Sequence, residues 1–185
     1  MTPTENTVTT GMLWQAALVF ALVDTPFVIF LLKRLTGETL RQLKPYLLAT
    51  TGIFWFLVWI AMCTYFWEPV YQYVFPAWAR WIVPPVYAFL FVLAALVFWW
   101  LALNIPGRPT LTFCIAGGLW GTVTHLWGIG RGLIDKPPML RGVSPLAVAV
   151  MPIFEFLFYW CVILTVSLFV YRHSKRRRDR IAQTG

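Results

Sequence analysis

Long apolar runs separated by short polar stretches recur five times along the chain, from Met12 to Leu32, Tyr46 to Trp67, Trp81 to Leu103, Leu111 to Gly130 and Leu146 to Tyr171. A hydrocarbon layer of about 30 Å is crossed by roughly 20 helical residues, so each run is long enough to span. None shows the short alternating segments of a membrane barrel, and a spanning segment that satisfies its own backbone must then be a helix. The pattern predicts an all-α integral membrane protein, a bundle of five transmembrane helices filling residues 1–171. A basic cytoplasmic tail follows over residues 172–185.

The charges orient this bundle. Lys33, Arg34, Arg41, Lys44 and Arg108, with six basic residues of the tail, put 11 on one side; Arg80, Arg131, Lys136 and Arg141 put four on the other. Cytoplasmic loops carry the excess of lysine and arginine, which predicts the N-terminus outside and the C-terminus in the cytoplasm. The amino end "MTPTENTVTT" has no positive charge and the first run is full length. That segment is therefore expected to stay as a helix rather than act as a cleaved signal peptide.

Composition agrees with the class. Hydrophobic residues make up 59% of the chain and charged ones 12%, with a mean hydropathy of +0.70. A soluble domain of this size needs more polar surface than that. The net charge of +8 is concentrated in "YRHSKRRRDR", directly after an apolar run. Such a cluster binds anionic lipid headgroups and is no sign of a nucleic-acid partner. A multi-pass place in the cell inner (plasma) membrane is expected.

The segment "EPVYQYVFPAWARWIVPP" is rich in tyrosine and tryptophan, which settle at headgroup level. It is expected to lie on the outer face with a short helix. The stretch "RGLIDKPPMLRGVSP" is either a connector or a cap over an outward cavity. No internal repeat supports an inverted-repeat transporter. Cys63, Cys114 and Cys161 fall in apolar runs without metal or disulfide spacing and read as packing residues.

The fourth run carries the most unusual face. Cys114, Gly117, Gly121, His125, Gly128 and Gly132 follow helical steps of three and four, a stripe of small residues with a histidine set into it. Small residues at this spacing let helices approach closely, or leave room for a flat ligand against His125. A second face holds Trp120, Thr124, Trp127 and Arg131, where a cation–π contact marks the outer boundary.

Two acids lie within apolar runs. At ~1.5 Å per residue, Asp24 sits ~18 Å and Glu155 ~14 Å deep, and His125 lies ~9 Å in from Arg131. Intramembrane ionisable groups face the bundle interior and serve a site, a proton path or a partner. Pro26 and Pro152 free the carbonyls of Leu22 and Val148 beside them. Tyr159, one turn after Glu155, is placed to hydrogen-bond it, whereas Glu68 reads as a solvated end of its span.

These residues predict an intramembrane polar pocket that binds, and is equipped to transform, a hydrophobic molecule such as an isoprenoid, sterol-like lipid or pigment. Glu155 and His125 are the candidate catalytic acid and base; Asp24, Trp120, Thr124, Trp127 and Tyr159 are the candidate ligand contacts. No metal site is expected and no cofactor is specified. With His173 in the tail a bis-histidine haem is excluded, and a single axial ligand through His125 has no second feature behind it. Hydrolase, nucleotide and dinucleotide motifs are absent. Two other fates fit the same chain: an accessory subunit of a larger membrane complex or a homo-oligomer, and a proton-coupled carrier using Asp24 and Glu155.

Overall fold

The computed structural model describes residues 8–68, 71–73, 75–130 and 142–184, with the side chains of residues 73, 125–130 and 184 outside the described set. Its elements are α1 (Thr10–Arg34), α2 (Gly37–Tyr65), two short 3₁₀ turns (Tyr71–Tyr73 and Ala77–Trp81), α3 (Val83–Asn104), α4 (Pro109–Gly130) and α5 (Pro145–Thr184). There is no strand among the described residues. Four helices, α1, α2, α3 and α5, are long and apolar enough to cross a membrane. The fourth, α4, has 22 residues but carries glycines, threonines and His125 in place of long apolar side chains.

Local chemistry sets the helix ends. Thr9 caps α1 by accepting from the Met12 amide, and Thr36 caps α2 by accepting from the Thr39 amide, both at 3.2 Å. The Thr36 cap starts α2 nine residues before the apolar run it serves, so the basic stretch after Arg34 is helix rather than loop. At the other extreme α5 continues for 40 residues, because nothing after Tyr171 breaks it and arginine and lysine are good helix formers. Its basic end is a helical extension, about 20 Å long for residues 172–184.

Hydrogen bonds between elements fix the topology. Thr110 Oγ1 donates to the Leu35 carbonyl at 3.2 Å, Trp99 Nε1 to the Leu40 carbonyl at 2.9 Å, and the Tyr171 hydroxyl to Gln42. These contacts gather the end of α1, the start of α2, the end of α3, the start of α4 and the far part of α5 at one end. Lys33, Arg34, Arg41, Lys44 and Arg108 lie there with the basic extension of α5. At the opposite end the Ser144 amide donates to Thr10 Oγ1 at 3.0 Å. Helices α1, α3 and α5 therefore run one way, and α2 and α4 the other.

Helix α5 is the hub. It packs on α1, α2 and α4, while α3 closes the bundle by packing on α2 and α4. The core is aromatic: Trp55 stacks on Phe91 with ring centroids 3.7 Å apart and planes 9° apart, and Trp160 is enclosed by Phe98, Phe113 and Phe91. The outward faces are also apolar, with Leu18, Leu22, Leu57, Phe89, Val97 and Phe169 exposed. A soluble protein would bury such side chains. A lipid-facing one has no reason to.

Candidate functional site

Helix α1 buries one stripe, Ala17, Asp24 and Leu31, spaced by seven residues and so on one face. The stripe meets α5, where Phe158 contacts Phe20 and Phe27 at 5.7 and 6.2 Å between centroids. Asp24 is thereby carried into the seam between two helices and is 2% exposed. Neither of its carboxylate oxygens has a hydrogen-bond partner among the described residues. Both face a cost, since a buried polar group without a partner forfeits its hydration with nothing in return.

Beside Asp24 lies a cavity of about 270 Å³, walled by Ala21, Thr25, Val28 and Ile29 of α1 and by Phe154 and Leu157 of α5. Thr25 spends its one hydroxyl proton on the Ala21 carbonyl at 2.8 Å and keeps only the capacity to accept. Apart from Asp24 and this oxygen the wall side chains are apolar. Pro26, two residues on, leaves the Leu22 carbonyl without its usual helical donor.

Glu155 occupies a different side of α5. The Tyr159 hydroxyl donates to Glu155 Oε1 at 2.6 Å, one helical turn along. Aromatic rings of α2 crowd this pair. Phe54 and Trp55 of α2 lie 5.8 and 5.4 Å from the Tyr159 ring. Next along α2, Trp59 contacts Tyr87 of α3 at 4.1 Å and Tyr71 of the first 3₁₀ turn at 5.3 Å. Burial holds the Tyr71 phenol well above its usual range, reinforced by the neighbouring Cys63, Glu155 and Tyr87. The 3₁₀ segment thus folds back over the mouth of the bundle. Arg80 pins it there, its Nε donating to the Cys63 carbonyl at the end of α2 at 2.9 Å.

Helix α4 closes against α5 through its small residues. A Cβ at Gly117 would lie 2.3 Å from Trp160 Cδ1, and one at Gly121 would lie 2.1 Å from Phe156 Cγ. This part of the stripe is filled by the two aromatic side chains and leaves no slot for a flat ligand. The Cys114 and Cys161 thiols meet across the same interface, and all three cysteines are free and buried.

Of the residues singled out in the sequence, Glu155 and Tyr159 come together, while Asp24 stands apart on the α1–α5 seam. Trp120 is partly exposed and packs edge-on against Phe98 of α3 at 6.2 Å. Thr124 spends its hydroxyl on the Trp120 and Gly121 carbonyls of its own helix. The side chains of His125 and Trp127 lie outside the described residues, as do Arg131, Gly132 and the segment "RGLIDKPPMLR". The short helix expected between the second and third runs is present as two 3₁₀ turns, and Glu68 is exposed. Among the described residues no three of His, Cys, Asp and Glu cluster as a metal site would.

Sequence reasoning passed over Trp55, Trp59, Tyr71 and Tyr87. Trp55, Trp59 and Cys63 follow four-residue spacing and could have been read as one face of α2. Tyr71 could not, because its position depends on the chain turning back after α2. No protein-family model matches the chain, and no curated protein or solved structure matches it either.

Proposed function

We propose that this protein is a five-span membrane protein that binds an apolar alcohol, such as an isoprenoid or sterol-like alcohol, with the hydroxyl on Asp24. The excess of basic residues at one end of the bundle supports an N-terminus outside and a C-terminus in the cytoplasm of a cell inner membrane. One observation carries the ligand assignment: a carboxylate 2% exposed, with neither oxygen partnered among the described residues, beside a largely apolar cavity of about 270 Å³.

An alcohol supplies the missing donor without bringing a charge into the bilayer. The cavity is smaller than the roughly 300–1,000 Å³ of sites that enclose a whole drug-sized ligand. It takes the hydroxyl end and leaves the tail among the acyl chains, where the exposed side chains of Thr25 and Ile29 mark the opening. No second ionisable side chain lines the cavity, which favours binding over turnover.

The test is a thermal-unfolding titration of the purified protein with farnesol and with farnesyl methyl ether, which keeps the tail and loses the donor. Farnesol raises the unfolding temperature of the native chain and the ether does not; Asp24→Leu erases the difference. Equal responses to alcohol and ether in the native chain would refute the assignment.

A further inference from the structure

We propose that Cys114 and Cys161 form a redox-modification site, a buried dithiol that a quinone dissolved in the bilayer oxidises to a disulfide joining α4 to α5. It holds whether or not Asp24 takes an alcohol.

The register of the two helices carries the pairing. Helices α4 and α5 run antiparallel, and contacts in four-residue steps fix how they face. Thr122 Oγ1 donates to the Ala149 carbonyl at 3.4 Å. One turn along, a Cβ on Gly118 would lie 3.1 Å from the Ile153 carbonyl oxygen and 3.8 Å from Leu157 Cβ. The same step taken once more sets Cys114 against Leu157 and Cys161. The glycine allows so close an approach, and the Gly118–Leu157 spacing matches the ~3.8 Å between Cβ atoms in a disulfide. In the next pair of that register the Cys114 and Cys161 thiols share a hydrogen bond across the interface, and both are free. Cys63 lies elsewhere, packed with Trp67, Ala79 and Val83.

Burial selects the oxidant. Cys114 is 1% exposed and Cys161 0%, inside a bundle whose outward faces are apolar. Charged, water-borne oxidants such as glutathione disulfide do not enter such a setting. A quinone dissolves there and takes up two electrons and two protons together. Both S–H bonds break, one S–S bond forms, and the quinone leaves as quinol, so no charge is stranded in the bilayer. The way in is the cavity between α1 and α5. Leu157 lines that cavity and also faces Gly118, so one side chain separates the cavity from the turn that carries the thiols. Asp24, beside the cavity, is within electrostatic reach of Cys161.

The experiment uses the full chain in a neutral detergent, reduced, freed of reductant and kept under argon with decylubiquinone, whose fully substituted ring offers a thiol no open position to add to. Absorbance is expected to show about one quinol formed per chain, and peptide mapping a Cys114–Cys161 link with Cys63 still open to alkylation. The unfolding temperature rises by several degrees, because the link closes a long loop, and falls back on treatment with a phosphine. Glutathione disulfide leaves the thiols reduced. Cys114→Ser and Cys161→Ser each stop quinone reduction. Cys63→Ser and Asp24→Leu do not, the latter separating this result from the alcohol assignment. A folded native chain that forms no quinol, a link through Cys63 or between chains, or oxidation by glutathione disulfide as fast as by the quinone would overturn the proposal.

Discussion

Gly117 of α4 lies directly against the indole of Trp160 on α5, so close that a Cβ on the glycine would sit 2.3 Å from Trp160 Cδ1. Trp160 is fully buried among Phe98, Phe113 and Trp55, so the ring has nowhere to retreat. Gly117→Ala and Gly121→Ala are each expected to cost ~1–3 kcal/mol by overpacking. Gly52→Ala, whose Cβ would meet Val92 at an ordinary 3.4 Å, is the control. It should be neutral or stabilising, since helical glycine costs about 0.5–1 kcal/mol relative to alanine. Thermal unfolding of the three variants checks the order, and tolerance of both α4 substitutions would contradict the packing.

Asp24 makes a trade between stability and binding. Removing an unsatisfied buried group recovers its desolvation cost, about 1–3 kcal/mol or more for a carboxylate. Asp24→Leu should therefore unfold at a higher temperature than the native chain when no alcohol is present. A lower unfolding temperature would mean that the carboxylate has a partner which the α1–α5 seam does not provide.

Arg80 ties the segment that follows α2 back to the end of that helix. Its half-buried charged hydrogen bond to Cys63 is of a kind worth about 1.5–3 kcal/mol, the lower end applying to a side chain that water still reaches. Arg80→Ala should lower the unfolding temperature and make the segment from Phe66 to Ile82 sensitive to protease while α3 and α5 stay intact. Unchanged proteolysis would show that ring contacts alone hold the segment down.

Orientation can be read chemically, because Cys63, Cys114 and Cys161 are buried and contribute little background to thiol labelling. Cysteines introduced at the exposed positions Trp81 and Lys175 lie at opposite ends of the bundle. An impermeant maleimide should label Trp81→Cys in intact cells and Lys175→Cys only after permeabilisation. The reverse pattern would invert the proposed topology.

The helices were legible because hydrophobic periodicity and length are local properties. The ends that moved did so for local reasons as well: the Thr36 cap draws α2 back to Gly37, and an unbroken run of helix formers carries α5 to Thr184. The pairing of Glu155 with Tyr159 was legible for the same reason, being one turn of one helix. Azimuth was not. Depth placed Asp24 and Glu155 at similar levels, but rotation about each helix axis decides that Asp24 of α1 faces α5 while the Glu155–Tyr159 pair of α5 faces α2. Nor could sequence show that Phe156 and Trp160 would fill the space left by Gly121 and Gly117. The face of Tyr71 depends on a reversal of the chain, and no residue spacing encodes that.

The most direct measurement is photolabelling in native-like bilayers with a diazirine analogue of farnesol, followed by peptide mapping. Label is expected on residues 21–29 of α1 and 154–157 of α5, competed away by excess farnesol and lost in Asp24→Leu. Label spread over outward side chains such as Leu57 and Phe89, indifferent to competitor and to Asp24, would show that the chain meets the alcohol only as bulk solvent.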